Sequence, residues 1–307
     1  MPNTIDIFTA TVTTTNSNKL TSFVLSIVIS ILYPASLYIW PNALTSDRHN
    51  PNTIKRNFIS VLGISIISFN LLVIYLQWQD DSGNQFQRDS LFQYVNWKTY
   101  DTCWNFFLHS LLYPILHVTI LFTGPIYLGL KNFKRIYISG FKWNSFSFVM
   151  QIFFHWLKQL ADIAVIRNLL VAPLSEEFIF RGILLSILVP FWSKIAAIAI
   201  SSILFGLMHT HHFWRSYYQS KLFNKREAIS NLFQCIYTAL FGAYASLTYL
   251  ASGHLVTPIL VHSFCNLNGL PDFQQIATNP AHLCLTIIGF IVWLSLLSRC
   301  LIDAALL

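Results

Sequence analysis

Long apolar segments dominate this sequence and constrain its fold more than any other feature. About 20 apolar residues carry a helix across the hydrocarbon core of a bilayer. Eight segments approach or exceed that length: 20–41, 57–77, 102–130, 163–189, 195–212, 231–251, 254–270 and 281–303. Only 10% of the 307 residues are Asp, Glu, Lys or Arg, against roughly 25% in a soluble domain. We therefore predict an all-α, polytopic transmembrane helical bundle of about eight spans.

The segments between the apolar runs differ in charge, which predicts their orientation. Segments 42–56, 131–145 and 213–230 carry three or four Lys and Arg each, whereas 78–101 holds four Asp. Cytosolic loops are enriched in Lys and Arg, so we expect the three basic segments in the cytosol and both termini in the lumen. This topology requires 146–160 to lie along the cytosolic face as an interfacial helix.

Nothing in the chain divides it into smaller units, and nothing indicates a soluble partner such as a nucleic acid. We find no internal repeat and no break in composition, so we expect a single integral membrane domain over 1–307. The net charge of +7 comes mainly from the basic segments between spans, where membrane topology accounts for it. Five scattered cysteines without a CxxC pair indicate neither a disulfide framework nor a cysteine zinc site.

Three ionisable residues interrupt the apolar segment 163–189. A carboxylate at the bilayer centre costs at least roughly 2.5–3.5 kcal/mol, yet Glu176 and Glu177 are adjacent. Glu177 and Arg181 are four residues apart and can pair across one turn, whereas Glu176 points about 100° away. Pro173 opens the backbone hydrogen bonding nearby. We interpret Glu177 as a structural acid and Glu176 as a reactive one. Alternatively, both acids only form polar contacts between helices.

Helix geometry places a histidine at the depth of Glu176. Glu176 lies 14 residues before Pro190 and His209 lies 15 residues after Lys194. At 1.5 Å per residue, both are about 21–23 Å from the same interfacial turn. Two antiparallel helices would therefore bring carboxylate and imidazole to one level, close to the basic segment 213–230.

Two further histidines follow His209 directly. His211 and His212 lie beyond the depth-matched position, and a histidine at a helix end is commonly an interfacial residue. We therefore select His209 as the functional one and treat His211 and His212 as interfacial.

A second pair of polar residues lies in the segment 254–270. His262 and Asn266 are four residues apart, so they share one helix face. Both side chains can donate hydrogen bonds to a developing oxyanion. Alternatively, they bond to backbone carbonyls of a neighbouring helix.

Together these residues indicate hydrolysis by an activated water. Glu176 and His209 would deprotonate the water as it attacks a carbonyl, and His262 and Asn266 would stabilise the oxyanion. Ser175 is a conceivable nucleophile, although no spacing favours it. A zinc ion held by Glu176, His209 and His262 is a second alternative, since three protein ligands and an open position form a catalytic zinc site.

The three motifs resemble a known family. They are Glu176-Glu177-xxx-Arg181, Phe205-xxx-His209 and His262-xxx-Asn266. In this order they are similar to the CAAX prenyl endopeptidases of the Ras-converting type. That family belongs to the glutamate intramembrane proteases related to bacteriocin-processing proteins. The stretch 167–173, RNLLVAP, is similar to the eukaryotic branch. The resemblance is specific over 163–270, which we expect to be the catalytic helical core.

The resemblance implies a specific reaction and place in the cell. It implies a multi-pass protease of the endoplasmic reticulum membrane, open to the cytosol, that removes the last three residues from farnesylated or geranylgeranylated CAAX proteins. Ras-type small GTPases would be among its substrates, and no cofactor would be needed. It implies the following roles: Glu176 and His209 activate water, His262 and Asn266 form the oxyanion hole, and Glu177 and Arg181 shape the site.

A function of another class also accounts for ionisable residues in a membrane. A transporter or lipid-binding protein keeps such groups at mid-membrane as well. It predicts paired discontinuous helices in two similar halves, a symmetry that this sequence lacks. The peptidase is therefore the interpretation that the residues favour.

Overall fold

A computed structural model describes residues 16–81, 100–133, 161–270 and 272–304, and within these ranges all regular structure is helical. The helices are α1 (Asn16–Ser36), α2 (Pro51–Asp81), α3 (Cys103–Leu121), α4 (Thr123–Phe133), α5 (163–188), α6 (Lys194–Met208), α7 (His211–Ser220), α8 (Lys225–Ser252), α9 (Val256–Asn268), α10 (Phe273–Thr278) and α11 (Pro280–Ala304).

The prediction of an all-α membrane protein is confirmed. Five helical stretches in the described residues are long and apolar enough to cross a membrane: Ser17–Ser36, Pro51–Gln79, Cys103–Leu121, Lys194–Ser220 and Pro280–Leu297. The other three predicted segments are also helices, namely α5, α8 and α9. Helix α5 carries the charged cluster and α9 has only 13 residues, so length and hydropathy alone do not identify them.

The predicted span 102–130 is not one continuous helix. It breaks at Phe122, whose backbone angles (φ −91°, ψ 13°) end α3 before α4 begins at Thr123. The amide of Phe122 bonds back to the carbonyls of Val118 and Thr119, as in a tightened last helical turn.

The main hydrophobic core joins α1, α2, α5, α6 and α8. Helices α6 and α8 approach most closely at Gly206, where a Cβ would lie 2.5 Å from the carbonyl oxygen of Cys235 and 2.9 Å from the Cβ of Ala239. Small residues allow this approach between membrane helices, where van der Waals packing drives association. The contact positions the end of α6, where His209 lies.

Two of the three basic segments meet on one side of the bundle. Arg215 in α7 donates through Nη2 to the carbonyl of Ser46, and Gln219 donates to the carbonyl of Leu44 at 2.7 Å. Segments 42–56 and 213–230 therefore share a face, as a common cytosolic location requires. The predicted interfacial helix 146–160 and most of segments 78–101 and 131–145 lie outside the described residues.

Candidate active site

The interior of the helical bundle contains a cavity of about 1480 Å³. Its lining includes all four predicted catalytic side chains: Glu176 on α5, His209 at the end of α6, and His262 and Asn266 on α9. Three separate helices thus bring the acid, the two imidazoles and the amide to a shared space. Glu176 and His209, which the depth comparison places at one level, both line this cavity, and their joint action stays a prediction.

Helix α5 carries its two acids on a short α-helical stretch, Ala172–Glu177, between two π-helical stretches. These are Arg167–Val171 and Phe178–Ile183. π-Helical turns within α-helices are rare and frequently occur at functional sites. Adjacent side chains on the α-helical stretch point about 100° apart, so Glu176 lines the cavity while Glu177 contacts Arg181 and His262.

Glu177 and Arg181 form a completely buried ion pair. Arg181 Nε lies 3.1 Å from Glu177 Oε2, and Arg181 Nη1 donates to Oε1 at 3.2 Å, with both side chains 0% exposed. Arg181 Nη2 also donates to the carbonyl of Gly242 at 3.2 Å. Its guanidinium lies 4.4 Å from the ring centre of Phe205, a cation–π distance. The predicted pairing across one turn is therefore present.

His262 lies between the two carboxylates. Its Nδ1 is 2.7 Å from Glu177 Oε1, and its Nε2 is 3.9 Å from Glu176 Oε2. Because a carboxylate accepts hydrogen bonds, the short contact places a proton on Nδ1. In neutral His262, Nε2 then carries a lone pair, and it becomes a donor only when the ring is doubly protonated.

His209 is held by a bond to its own helix. Its Nδ1 is 2.8 Å from the carbonyl of Phe205, which can only accept, so the proton is on Nδ1. The other ring nitrogen, Nε2, is left unprotonated in the neutral ring and can accept a proton from water. The ring also meets Phe205 edge to face at 4.9 Å, which further restricts its orientation.

His211 and His212 differ from the interfacial role we expected. Both are half-buried and line the cavity. The ring of His212 lies 6.4 Å from that of His209 and 3.9 Å from that of His211. The reason is that α6 ends at Met208 and α7 begins at His211. A turn at His209 and Thr210 separates the two helices, and both rings beyond it line the cavity.

Asn266 bonds to the backbone of α5, as one of the two alternatives anticipated. Its Nδ2 donates to the carbonyl of Asn168 at 2.9 Å, and Ser263 Oγ donates to the carbonyl of Leu169 at 2.7 Å. Pro173 has no N–H, so it cannot bond to the carbonyls four and five residues earlier, which are these two. A side-chain amide has two N–H donors, and therefore Asn266 keeps a second one.

Two aromatic residues of the site were missed by the sequence interpretation. Tyr33 on α1 lines the cavity, and its hydroxyl is 2.8 Å from Ser175 Oγ. The ring of Phe241 lies 4.8 Å from that of His262. Aromatic residues are common in membrane segments, so only the fold distinguishes these two. Phe205, the first residue of the second motif, lies against Arg181 and His209.

Ser175 is poorly placed as a nucleophile. The residue is 3% exposed, and its hydroxyl bonds to Tyr33 and to the carbonyls of Val171 and Ala172. Among the described residues, no group of three His, Cys, Asp or Glu side chains is arranged to hold a metal ion.

Comparisons with known proteins identify the same region. The model of the family described as "Type II CAAX prenyl endopeptidase Rce1-like" matches residues 158–268. The chain is 33% identical to human CAAX prenyl protease 2 over 241 residues, which is 78% of this chain and 68% of the human protein. It is 32% identical to the Arabidopsis thaliana protein of that name over 53% of this chain and 54% of the relative. It is 28% identical to a probable CAAX prenyl protease 2 of Schizosaccharomyces pombe over 81% of both. No solved structure matches the chain.

Proposed function

The chain belongs to the family of type II CAAX prenyl endopeptidases and is a membrane peptidase that acts on prenylated CAAX proteins, and from this premise we propose how its residues cleave the substrate. Glu176 and His209 activate a water, and His262 and Asn266 stabilise the oxyanion that forms. Glu177 and Arg181 hold His262 in place. The observation that carries this proposal is the single cavity lined by all four catalytic side chains.

Attack by water begins the reaction. The water oxygen bonds to the carbonyl carbon of the scissile peptide while its proton passes to the Glu176–His209 pair. His209 suits this role because its Nδ1 proton is bonded to Phe205, which leaves Nε2 as the acceptor. When the tetrahedral intermediate collapses, the C–N bond breaks and the same pair returns a proton to the leaving amine. The products are a prenyl-cysteine carboxylate and a free tripeptide.

Stabilisation of the oxyanion needs donors that are fixed before the reaction. Asn266 meets this condition, since the bond from its first N–H to Asn168 orients the second. His262 donates from Nε2 only as an imidazolium, and in that form it lies between the carboxylates of Glu176 and Glu177. The mechanism therefore assigns His262 the doubly protonated form in the transition state.

The apolar side of the cavity suits the prenyl group of the substrate. Phe122, Phe241, Tyr244, Phe290 and Trp293 line it. Phe290, which lines the cavity, is also 48% exposed, which supports lateral entry from the lipid. A prenyl chain partitions into a bilayer at about 0.8 kcal/mol per buried CH₂. Lateral entry would keep the chain in an apolar environment throughout, while the peptide approaches from water.

We extend the proposal to the location of the enzyme and to its substrates. The basic segments 42–56 and 213–230 lie on the side of the bundle to which the cavity extends, which supports an opening to the cytosol. The eukaryotic relatives support residence in the endoplasmic reticulum membrane. Prenylated small GTPases of the Ras type, which carry a C-terminal CAAX sequence, fit this site.

The decisive experiment replaces Glu176 with glutamine in the purified full-length protein. A farnesylated CAAX peptide is the substrate, and release of the tripeptide is followed by mass spectrometry. We expect Glu176→Gln to lower kcat at least about 100-fold while the size-exclusion profile in detergent stays unchanged. Asp101→Asn is the matched control, because Asp101 is exposed and does not line the cavity. Cleavage by Glu176→Gln at the rate of Asp101→Asn would reject the mechanism.

Metal dependence is tested on the same preparation. Our proposal requires no metal ion, so activity should persist after dialysis against EDTA and 1,10-phenanthroline. Loss of activity that zinc restores would replace water activation by Glu176 with zinc chemistry.

A further inference from the structure

Three arginines from separate parts of the chain converge at the edge of the catalytic cavity. Arg48 follows α1, Arg167 lies on α5 and Arg215 lies on α7, and all three line the cavity. We call this group the arginine rim. The mechanism above gives it no role.

Hydrogen bonds from arginine side chains to backbone carbonyls hold the rim together. Arg167 Nη1 donates to the carbonyl of Arg48 at 2.9 Å, and Arg215 Nη2 donates to the carbonyl of Ser46. These contacts bring like charges toward one mouth although each guanidinium repels the others. Arg167 and Arg215 are half-buried, whereas Arg48 is exposed.

Carboxylates near the rim are fewer than its guanidinium groups within the part of the chain that the structure describes. None of the three arginines forms an ion pair there, although Asp162 attracts the charge of Arg167. The cavity lining has only two carboxylates among the described residues, Asp47 and Glu176. Asp47 accepts a bond from the amide of His49 and keeps its charge, and Glu176 belongs to the proposed catalytic group. The rim thus keeps a net positive charge suited to an anion from outside the chain.

The rim also lies near the proposed catalytic group. The rings of His209 and His212 are 6.4 Å apart, and the charges of Arg48 and Arg215 act on His212. An extended tripeptide spans about 10 Å. A substrate whose scissile carbonyl lies at Glu176 and His209 would therefore carry its terminal group further along the same cavity, which the arginine rim also lines.

We propose that the arginine rim, Arg215 and Arg48 in particular, binds the free C-terminal carboxylate of the substrate and so restricts cleavage to three residues from the end. This inference rests on the proposed function, because it takes the scissile bond to lie at Glu176 and His209. A guanidinium binds a carboxylate through charge-assisted, often bidentate hydrogen bonds. A phospholipid phosphate has the same charge and is the competing anion.

The test compares two farnesylated peptides of one sequence, one with a free C-terminal carboxylate and one with a carboxamide. Assays use the full-length protein in vesicles of phosphatidylcholine, which bears no net charge. We expect kcat/KM to be about 10- to 100-fold higher for the acid. We expect Arg215→Gln and Arg48→Gln to reduce this ratio to about 3 or below. Arg226→Gln is the matched control, since Arg226 is exposed and does not line the cavity.

Other outcomes are equally clear. Equal cleavage of acid and amide by the unaltered protein would overturn the proposal. So would variants that slow both peptides equally, because that pattern indicates a structural role. If the variants act only after phosphatidylserine is added, whatever the peptide terminus, the rim binds the headgroup of an anionic phospholipid instead. Failure of the catalytic mechanism shows separately, as activity in Glu176→Gln. We expect Arg48→Gln to fold normally even if Arg215→Gln does not, because Arg48 is exposed and no described residue bonds to its guanidinium.

Discussion

His262 Nδ1 lies 2.7 Å from Glu177 Oε1, and Glu177 in turn is paired with the buried Arg181. Glu177 therefore joins a residue of α9 to a residue of its own helix. The second carboxylate of the motif contacts His262, which we propose to be catalytic, while the first faces the cavity. The predictions below test this division of roles and the packing that supports it.

Removing the charge of Glu177 should destabilise the protein. In Glu177→Gln, the guanidinium of Arg181 stays buried without a counter-charge, and breaking a buried pair in this way costs about 3–5 kcal/mol. We expect a clear drop in the apparent melting temperature in detergent. The double variant Glu177→Gln/Arg181→Met should recover part of the loss, because it buries no charge. Equal melting temperatures of the single variant and the unaltered protein would show that the ion pair does not stabilise the fold.

Replacing His209 should abolish most activity without loss of stability. His209→Gln retains a polar side chain but removes the basic Nε2, and loss of a general base costs roughly 10²- to 10⁴-fold in rate. Steady-state cleavage of a farnesylated peptide measures the effect. His49→Gln provides the comparison, since His49 is exposed and outside the cavity lining. A similar kcat for the two variants would remove His209 from the mechanism.

The two contacts between α9 and α5 should be separable by their effects on rate. Asn266→Ala and Ser263→Ala each remove one hydrogen bond to a carbonyl released by Pro173. Only Asn266 lines the cavity. We expect Asn266→Ala to lower kcat about 100-fold or more, as for an oxyanion donor, and Ser263→Ala to lower it by less than about 5-fold. Equal losses in kcat would mean that Asn266 only holds the helices together.

The close approach of α6 and α8 should make Gly206 intolerant of substitution. A Cβ there would lie 2.5 Å from the carbonyl oxygen of Cys235, so Gly206→Ala must move one helix. We expect a cost of about 1–3 kcal/mol, measured as a lower melting temperature. Gly63→Ala tests the same change in α2, where nothing lies within 4 Å of the added atom. There the gain in helix propensity, about 1 kcal/mol, should leave stability unchanged or raised.

Much of the candidate site could be predicted from the sequence because helix geometry is local. The spacing of Glu177 and Arg181 predicts a pair across one turn, and the pair is present. Equal distances from one turn predict that Glu176 and His209 meet, and both line the cavity. Charges inside apolar segments are costly, so their presence marked the site before any fold was known.

Other features depended on contacts between segments distant in the chain. Spacing and composition carry no signal for three of them. These are the break at Phe122, the position of His211 and His212 in the cavity lining, and the hydrogen bond of Tyr33 to Ser175. The assignment of residues 1–307 to a single integral membrane domain, with 163–270 as its catalytic helical core, stays a prediction.

By itself, the sequence determined membrane residence and helical structure, and it predicted which side chains react, because hydropathy and the 3.6-residue repeat act along the chain. The tertiary structure decided which nitrogen of His209 and His262 carries the proton, and which carbonyls hold Asn266. A hydrogen bond between two helices depends on their separation and rotation. Both are set by packing at contacts such as Gly206 against Cys235.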